Sequence, residues 1–194
     1  MKQHAKFFLL ASWLTVGVSQ AEQATISVDK TEPKTMVMAV TTSAARMDHS
    51  HMPIEVPIQA AIPALSTSLS VDPMSGYNLE LDVRNYHMMP PPEDMTMDDM
   101  MSAFTEPESG WLQGHAHLYV NGKKIQRVYG RYVHLPKTLF KPGTNSISVT
   151  LNNHGHMHWT VGGKKLLSTL FIDQGGDELV KHKFESFPAT RTKR

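Results

Sequence analysis

Apolar and polar residues alternate with period two in several short stretches of this chain, the pattern of strands that bury one face. Asn78 to Arg84 sets Leu79, Leu81 and Val83 against Asn78, Glu80, Asp82 and Arg84. His115 to Val120 carries Ala116, Leu118 and Val120 on its apolar side. Asn121-Gly122 follows at once, a pair suited to the type I′ hairpin turn because both central positions need positive φ. The returning strand is predicted over Lys123 to Val133, with Gly130 as a candidate bulge. After the turn Lys141-Pro142-Gly143-Thr144, Asn145 to Leu151 sets Ile147, Val149 and Leu151 against Ser146, Ser148 and Thr150. Asn152-Asn153-His154-Gly155 turns the chain, and Met157, Trp159 and Val161 alternate up to Gly162-Gly163. Lys164 to Ile172 supplies the last strand.

Strands this short, with turn signals about every 8–12 residues, predict an all-β fold. The expected architecture is an immunoglobulin-like β-sandwich of about six or seven strands over residues 75–173. No amphipathic helix stands out. Residues 22–74 lack the alternation, and Pro33, Pro53, Pro57, Pro63 and Pro73 punctuate Ser, Thr and Ala runs. They predict a flexible leader in which Thr35 to Thr42 is the one strand-like stretch. Residues 174–194 predict a polar, basic tail.

The N-terminus adds a compartment. Lys2, His4 and Lys6 precede an uncharged run from Phe7 to Ser19, and Ser19-Gln20-Ala21 places small residues before a cleavage point at Glu22. That order predicts a signal peptide over residues 1–21. The apolar run is shorter than the roughly 20 residues a membrane helix needs. A periplasmic or secreted protein with no membrane span after cleavage is the expectation.

Composition narrows the chemistry. There is no cysteine, which excludes disulfides, zinc–thiolate sites, iron–sulfur clusters and cysteine nucleophiles. A formal net charge of +1 gives no general reason to bind nucleic acid. Beside the absent cysteine stand 13 Met and 11 His. They gather in four clusters. Met47-Asp48-His49-Ser50-His51-Met52 lies in the leader, and His87, Met88 and Met89 open a Met-rich loop over residues 88–104 with Met95, Met97, Met100 and Met101. His115 and His117 form the third cluster; His154, His156, Met157 and His158 form the fourth.

Spacing gives the third cluster its meaning. Residues two apart on a strand project from one face, so His115 and His117 present two imidazoles opposite Ala116 and Leu118. If extended, the fourth cluster likewise puts His154, His156 and His158 on one side. Imidazole suits copper, zinc and nickel, and thioether sulfur is soft and selects Cu(I). Copper alone uses both ligand types, cycling between states that favour each. The alternative role for the Met loop is packing, because Met fills irregular gaps.

Two resemblances follow from these residues. Met47-Asp48-His49-Ser50-His51-Met52 resembles the M-D-H-S-x-M units of periplasmic copper-resistance proteins. Gly114-His115-Ala116-His117-Leu118-Tyr119-Val120-Asn121-Gly122-Lys123 is similar to the core of a family of exported bacterial β-sandwich proteins. Gly76 to Leu79, Arg127 to Gly130, His134-Leu135 and Val149 to Asn152 share that likeness. The resemblance covers roughly residues 75–172, implies the sandwich and marks His115, His117 and His134. The Met-rich stretch after His87 departs from the family pattern.

The functional expectation is a periplasmic copper-binding protein, a buffer, carrier or resistance factor and not an enzyme. His115 and His117 anchor the expected site, completed by His134 or by one of His154, His156 and His158. The alternative is a non-enzymatic immunoglobulin-like interaction module that recognises another envelope protein or a glycan. A metal-dependent enzyme ranks third, because no H-E-x-x-H motif or Ser nucleophile signature is present.

Overall fold

A computed structural model describes residues 52–189. The predicted signal peptide, the Thr35 to Thr42 stretch, His49 and His51 lie outside the described residues. The strands run β1 (Pro53–Glu55), β2 (Ala64–Val71), β3 (Tyr77–Arg84), β4 (Tyr86–Met88), β5 (Leu112–Val120) and β6 (Lys123–Val128). They continue as β7 (Tyr132–Leu135), β8 (Thr144–Asn152), β9 (His158–Val161), β10 (Lys164–Lys165), β11 (Leu167–Asp173) and β12 (Val180–Glu185). Among the described residues, a short α-helix, α1 (Met97–Met101), and a 3-10 turn at Lys137–Leu139 interrupt them.

The fold is an all-β sandwich. In the larger sheet β8 is central, pairing β5 through Val149↔Leu118 and β11 through Val149↔Ser168. β6 and β4 flank β5 on its other side, and β12 flanks β11. The smaller sheet is β2-β3-β7. Period-two alternation turns Leu79 and Leu81 of β3 and Leu118, Val149, Leu151, Leu170 and Ile172 of the larger sheet into one buried core. Trp159 closes it without solvent exposure. Its indole N–H donates to Tyr86 Oη at 3.3 Å, and Tyr86 donates to the Asn152 carbonyl at 2.6 Å. Each polar handle of these aromatics is thus satisfied inside an apolar surrounding.

The hairpin at Asn121-Gly122 forms as the sequence predicts, with φ of 51° and 77° at the two positions. Gly130 is not a bulge. Between β6 and β7 the chain leaves the larger sheet for the smaller, and the register shift falls instead between Leu118 and Tyr119 of β5.

The sandwich also reaches beyond residues 75–173. β2 lies within the predicted leader, yet pairs β3 along its whole length from Ala64↔Arg84 to Val71↔Tyr77. One of its inward residues is Thr67, whose hydroxyl bonds Ser168 Oγ at 2.7 Å, so its hydropathy alternation is faint. β12 lies within the predicted tail and is an edge strand paired on one side only. An edge strand stays polar and reads from sequence as solvated chain.

Candidate metal centre

β5 is buried on both faces, which is unusual for a strand that alternates polar and apolar residues. Its even positions enter the core; its odd positions carry Gln113, His115 and His117, all buried. Gly114 permits the close approach that sets this up. Its φ is 153°, and a Cβ there would overlap the Asn152 carbonyl and the Tyr86 hydroxyl. Side chains on the odd face lie beside β8, with His115 opposite Asn152 and His117 opposite Thr150.

What covers that face is the turn between β8 and β9. The two strands pair only through Asn152↔His158, so residues 153–157 close a tight loop. Asn153 knits it: its carbonyl accepts from the His156 N–H at 3.1 Å and its side-chain oxygen from the Met157 N–H at 2.9 Å. Asn152 Nδ2 donates to the His156 carbonyl at 2.8 Å. His156 thereby takes φ of 72°, a left-handed conformation rare outside glycine and asparagine, and its ring points toward β5.

Three imidazoles converge there. His115 Nε2 lies 2.9 Å from His117 Nε2, and His117 Nε2 lies 3.2 Å from His156 Nδ1. All three donor atoms fall within 4.8 Å of one another. Ring centroids are 4.8 Å apart for His115 and His117, 5.0 Å for His115 and His156, and 5.3 Å for His117 and His156. A nitrogen bound at about 2.0–2.1 Å puts its ring centroid about 3.2 Å from an ion. Centroids of neighbouring ligands at roughly 90–110° then lie about 4.5–5.2 Å apart. Two of the observed spacings fall in that range and the third, 5.3 Å, lies just beyond it, so one ion fits three rings with little movement.

The electrostatics favour lone pairs over N–H⁺. Burial, with the nearby His117, His156, Arg127 and His154, pushes His115 down to about 2. Burial also lowers His154. Neutral imidazole is the form that ligates metals. Tyr119 Oη stands 3.5 Å from His117 Nδ1, and an Nδ1–H donated to it makes Nε2 the lone-pair-bearing nitrogen that faces His115 and His156. Tyr129 packs on His115 with centroids 5.5 Å apart. Neither tyrosine stands out in the sequence, although Tyr119 follows His117 at the same period-two spacing as His117 follows His115.

The Met-rich loop packs as a lid on this turn. Thr96 and Asp99 form a reciprocal capping box that opens α1. The Met100 carbonyl accepts from the Gly155 N–H at 2.7 Å and the Ser102 carbonyl from Asn153 Nδ2 at 3.2 Å. A Cβ on Gly155 would lie 2.6 Å from Met101 Sδ. Met100 and Met101 are half-buried, while Met97 is exposed.

The remaining predicted ligands separate. His134 sits on β7 in the smaller sheet, 3.3 Å from Asn78 Oδ1 and 3.8 Å from an Asp72 carboxylate oxygen. His87 faces Ser109, Glu106 and the Trp111 ring. Met88 packs against the core, and the Met89 N–H donates to the Gly114 carbonyl. His154 and His158 are buried but outside the triad. The fourth cluster is therefore not one extended face: His154 and His156 lie in the turn and only His158 is on a strand. Two larger clefts, one lined by Ser66, Glu80 and Glu185 and one by Asp72, Tyr77 and Asp173, contain no triad residue.

No family model matches the chain, and no curated protein or solved structure matches it either.

Proposed function

We propose that the protein is a periplasmic copper-binding protein, a buffer, carrier or resistance factor, holding its ion at His115, His117 and His156. The observation that carries this reading is the convergence of three imidazole nitrogens from two separate segments, two of the rings fully buried. The triad lies apart from the clefts at Ser66–Glu185 and at Asp72–Asp173.

Copper is favoured over zinc on two grounds. The ligands are three neutral imidazoles with no carboxylate among them, so a singly charged ion leaves less uncompensated charge in a buried site. The thioether of half-buried Met101 lies against the turn that carries His156, and soft sulfur selects Cu(I). The lid would receive the ion and the imidazoles would hold it.

Titration of residues 22–194 with Cu(I), Cu(II) and Zn(II) against competing chelators tests the proposal. Tight copper binding, lost in His115→Ala/His117→Ala and in His156→Ala, is the expected result. Affinity no better than that of unstructured His- and Met-containing peptides would remove copper from the account and leave the interaction module.

A further inference from the structure

Among the described residues, His154 is buried, 5 % exposed, with both side-chain polar atoms unpaired. Buried polar groups are nearly always paired, and each one left unmade costs on the order of 1–3 kcal/mol. A leucine or phenylalanine would fill the same space without that penalty. Nor does the loop need the imidazole for its shape. Asn153 and Asn152 knit the turn from within, and Met100 and Ser102 hold it from outside, all through other atoms.

The position of the ring supplies the missing reason. His154 and His115 have centroids 6.4 Å apart with ring planes 37° from parallel. Two imidazoles bound on opposite sides of one ion have centroids about 6.4 Å apart, twice the 3.2 Å reach of a single ligand. His154 thus sits at the outer limit of the distance from which it shares an ion with His115, and an inward shift of about 1 Å brings it to the tetrahedral spacing. The turn that carries His156 carries His154 two residues earlier, so one small movement of residues 153–157 serves both. His115 Nδ1 is a further buried nitrogen without a hydrogen-bond partner on the same side of the molecule.

We infer that His154 is a fourth imidazole donor, recruited from its buried, unpartnered position when an ion enters the His115, His117 and His156 group. This rests on the metal-centre reading and adds a coordination number to it. Three neutral donors define an open, exchangeable site; a fourth closes it and slows release. The segment Met100–Ser102, bonded to the Asn153 side chain and the Gly155 N–H on either side of His154, then controls how readily the fourth ligand moves in.

X-ray absorption at the copper edge on wild type and His154→Phe, each loaded with one equivalent of Cu(I), tests the inference alongside chelator competition. Wild type is expected to show four imidazole nitrogens and the variant three, with affinity falling at least tenfold. The apo variant should melt no lower than wild type, since phenylalanine removes two orphaned polar atoms. If His154→Phe does not fold, His154→Leu and the wild-type nitrogen count carry the decision. Three imidazoles in wild type, or unchanged affinity in a folded variant, overturns the role of His154 and leaves the triad standing. No copper bound by wild type overturns both.

Discussion

His115 and His134 are both strand histidines that the sequence offers as candidate ligands, yet the two sites have opposite chemistry. His134 lies exposed on the smaller sheet, beside Asn78 and the carboxylate of Asp72. His115 lies buried on the larger sheet, and what surrounds its nitrogens is other imidazole. A histidine with a carboxylate and water at hand has its hydrogen bonds met and gains little from a metal. One buried among neutral imidazoles pairs its Nε2 only with another imidazole nitrogen, while His115 Nδ1 is left without a partner. Burial of the outer strand face, produced by one five-residue turn, makes that difference.

The contrast breaks most decisively by removing ligands. His115→Ala/His117→Ala should weaken copper binding at least about 100-fold, about 2.8 kcal/mol, while His87→Ala/His134→Ala leaves it within twofold. Equal losses in the two double variants, measured by chelator competition, would erase the distinction between the regions.

Acid separates the regions next. The unfolded chain takes up a proton at His115 near pH 6.5, whereas the folded chain resists it down to about 2. Apo-protein stability is therefore intact above pH 6.5 and falls as pH drops below it, by up to about 1.4 kcal/mol per pH unit for this residue. The Asp72 corner behaves differently. Its carboxyl is held below the usual value by the Ser75 N–H, then the Asn78 side chain and the Met74 N–H. Its contribution is complete above about pH 3.8 and is lost only as pH falls below that. Hydrogen exchange at pH 5 should thus show opening around residues 113–117 and 153–157 before residues 72–78. The order reversed, or a His115→Phe variant with an unchanged pH slope, would contradict the burial account.

Gly155→Ala sharpens the comparison by disturbing the cover alone. The added methyl meets Met101 Sδ at 2.6 Å and the Met100 carbonyl at 2.8 Å. Displacing them should cost about 1–3 kcal/mol. Cu(I) affinity should fall more than Cu(II) affinity, because the Met101 thioether is the group the methyl displaces. Equal losses for the two oxidation states would make the lid a purely structural cover. The smallest effect belongs to His134→Ala, expected within about 0.5 kcal/mol of wild type by denaturant unfolding.

Much of this was legible from residue order. Alternation at Asn78–Arg84, His115–Val120 and Asn145–Leu151 places β3, β5 and β8, and Asn121-Gly122 places the hairpin between β5 and β6. β2 and β12 escaped because Thr67 packs inward through a hydroxyl pair and because an edge strand need not be apolar. The site was half legible. His115 and His117 follow from period two; the third imidazole of the group does not, since His134, His154, His156 and His158 are alike in sequence terms.

Local order along the chain thus determined which segments become strands, and that His115 and His117 share a face, because side-chain direction on a strand depends only on parity. The tertiary structure alone decided that this face is buried and that His156 completes the group. Both depend on a turn whose left-handed residue is held by Asn152 and Asn153, and on a lid bonded to its backbone from more than fifty residues earlier in the chain. Contacts between segments so distant in sequence leave no periodic trace in either one.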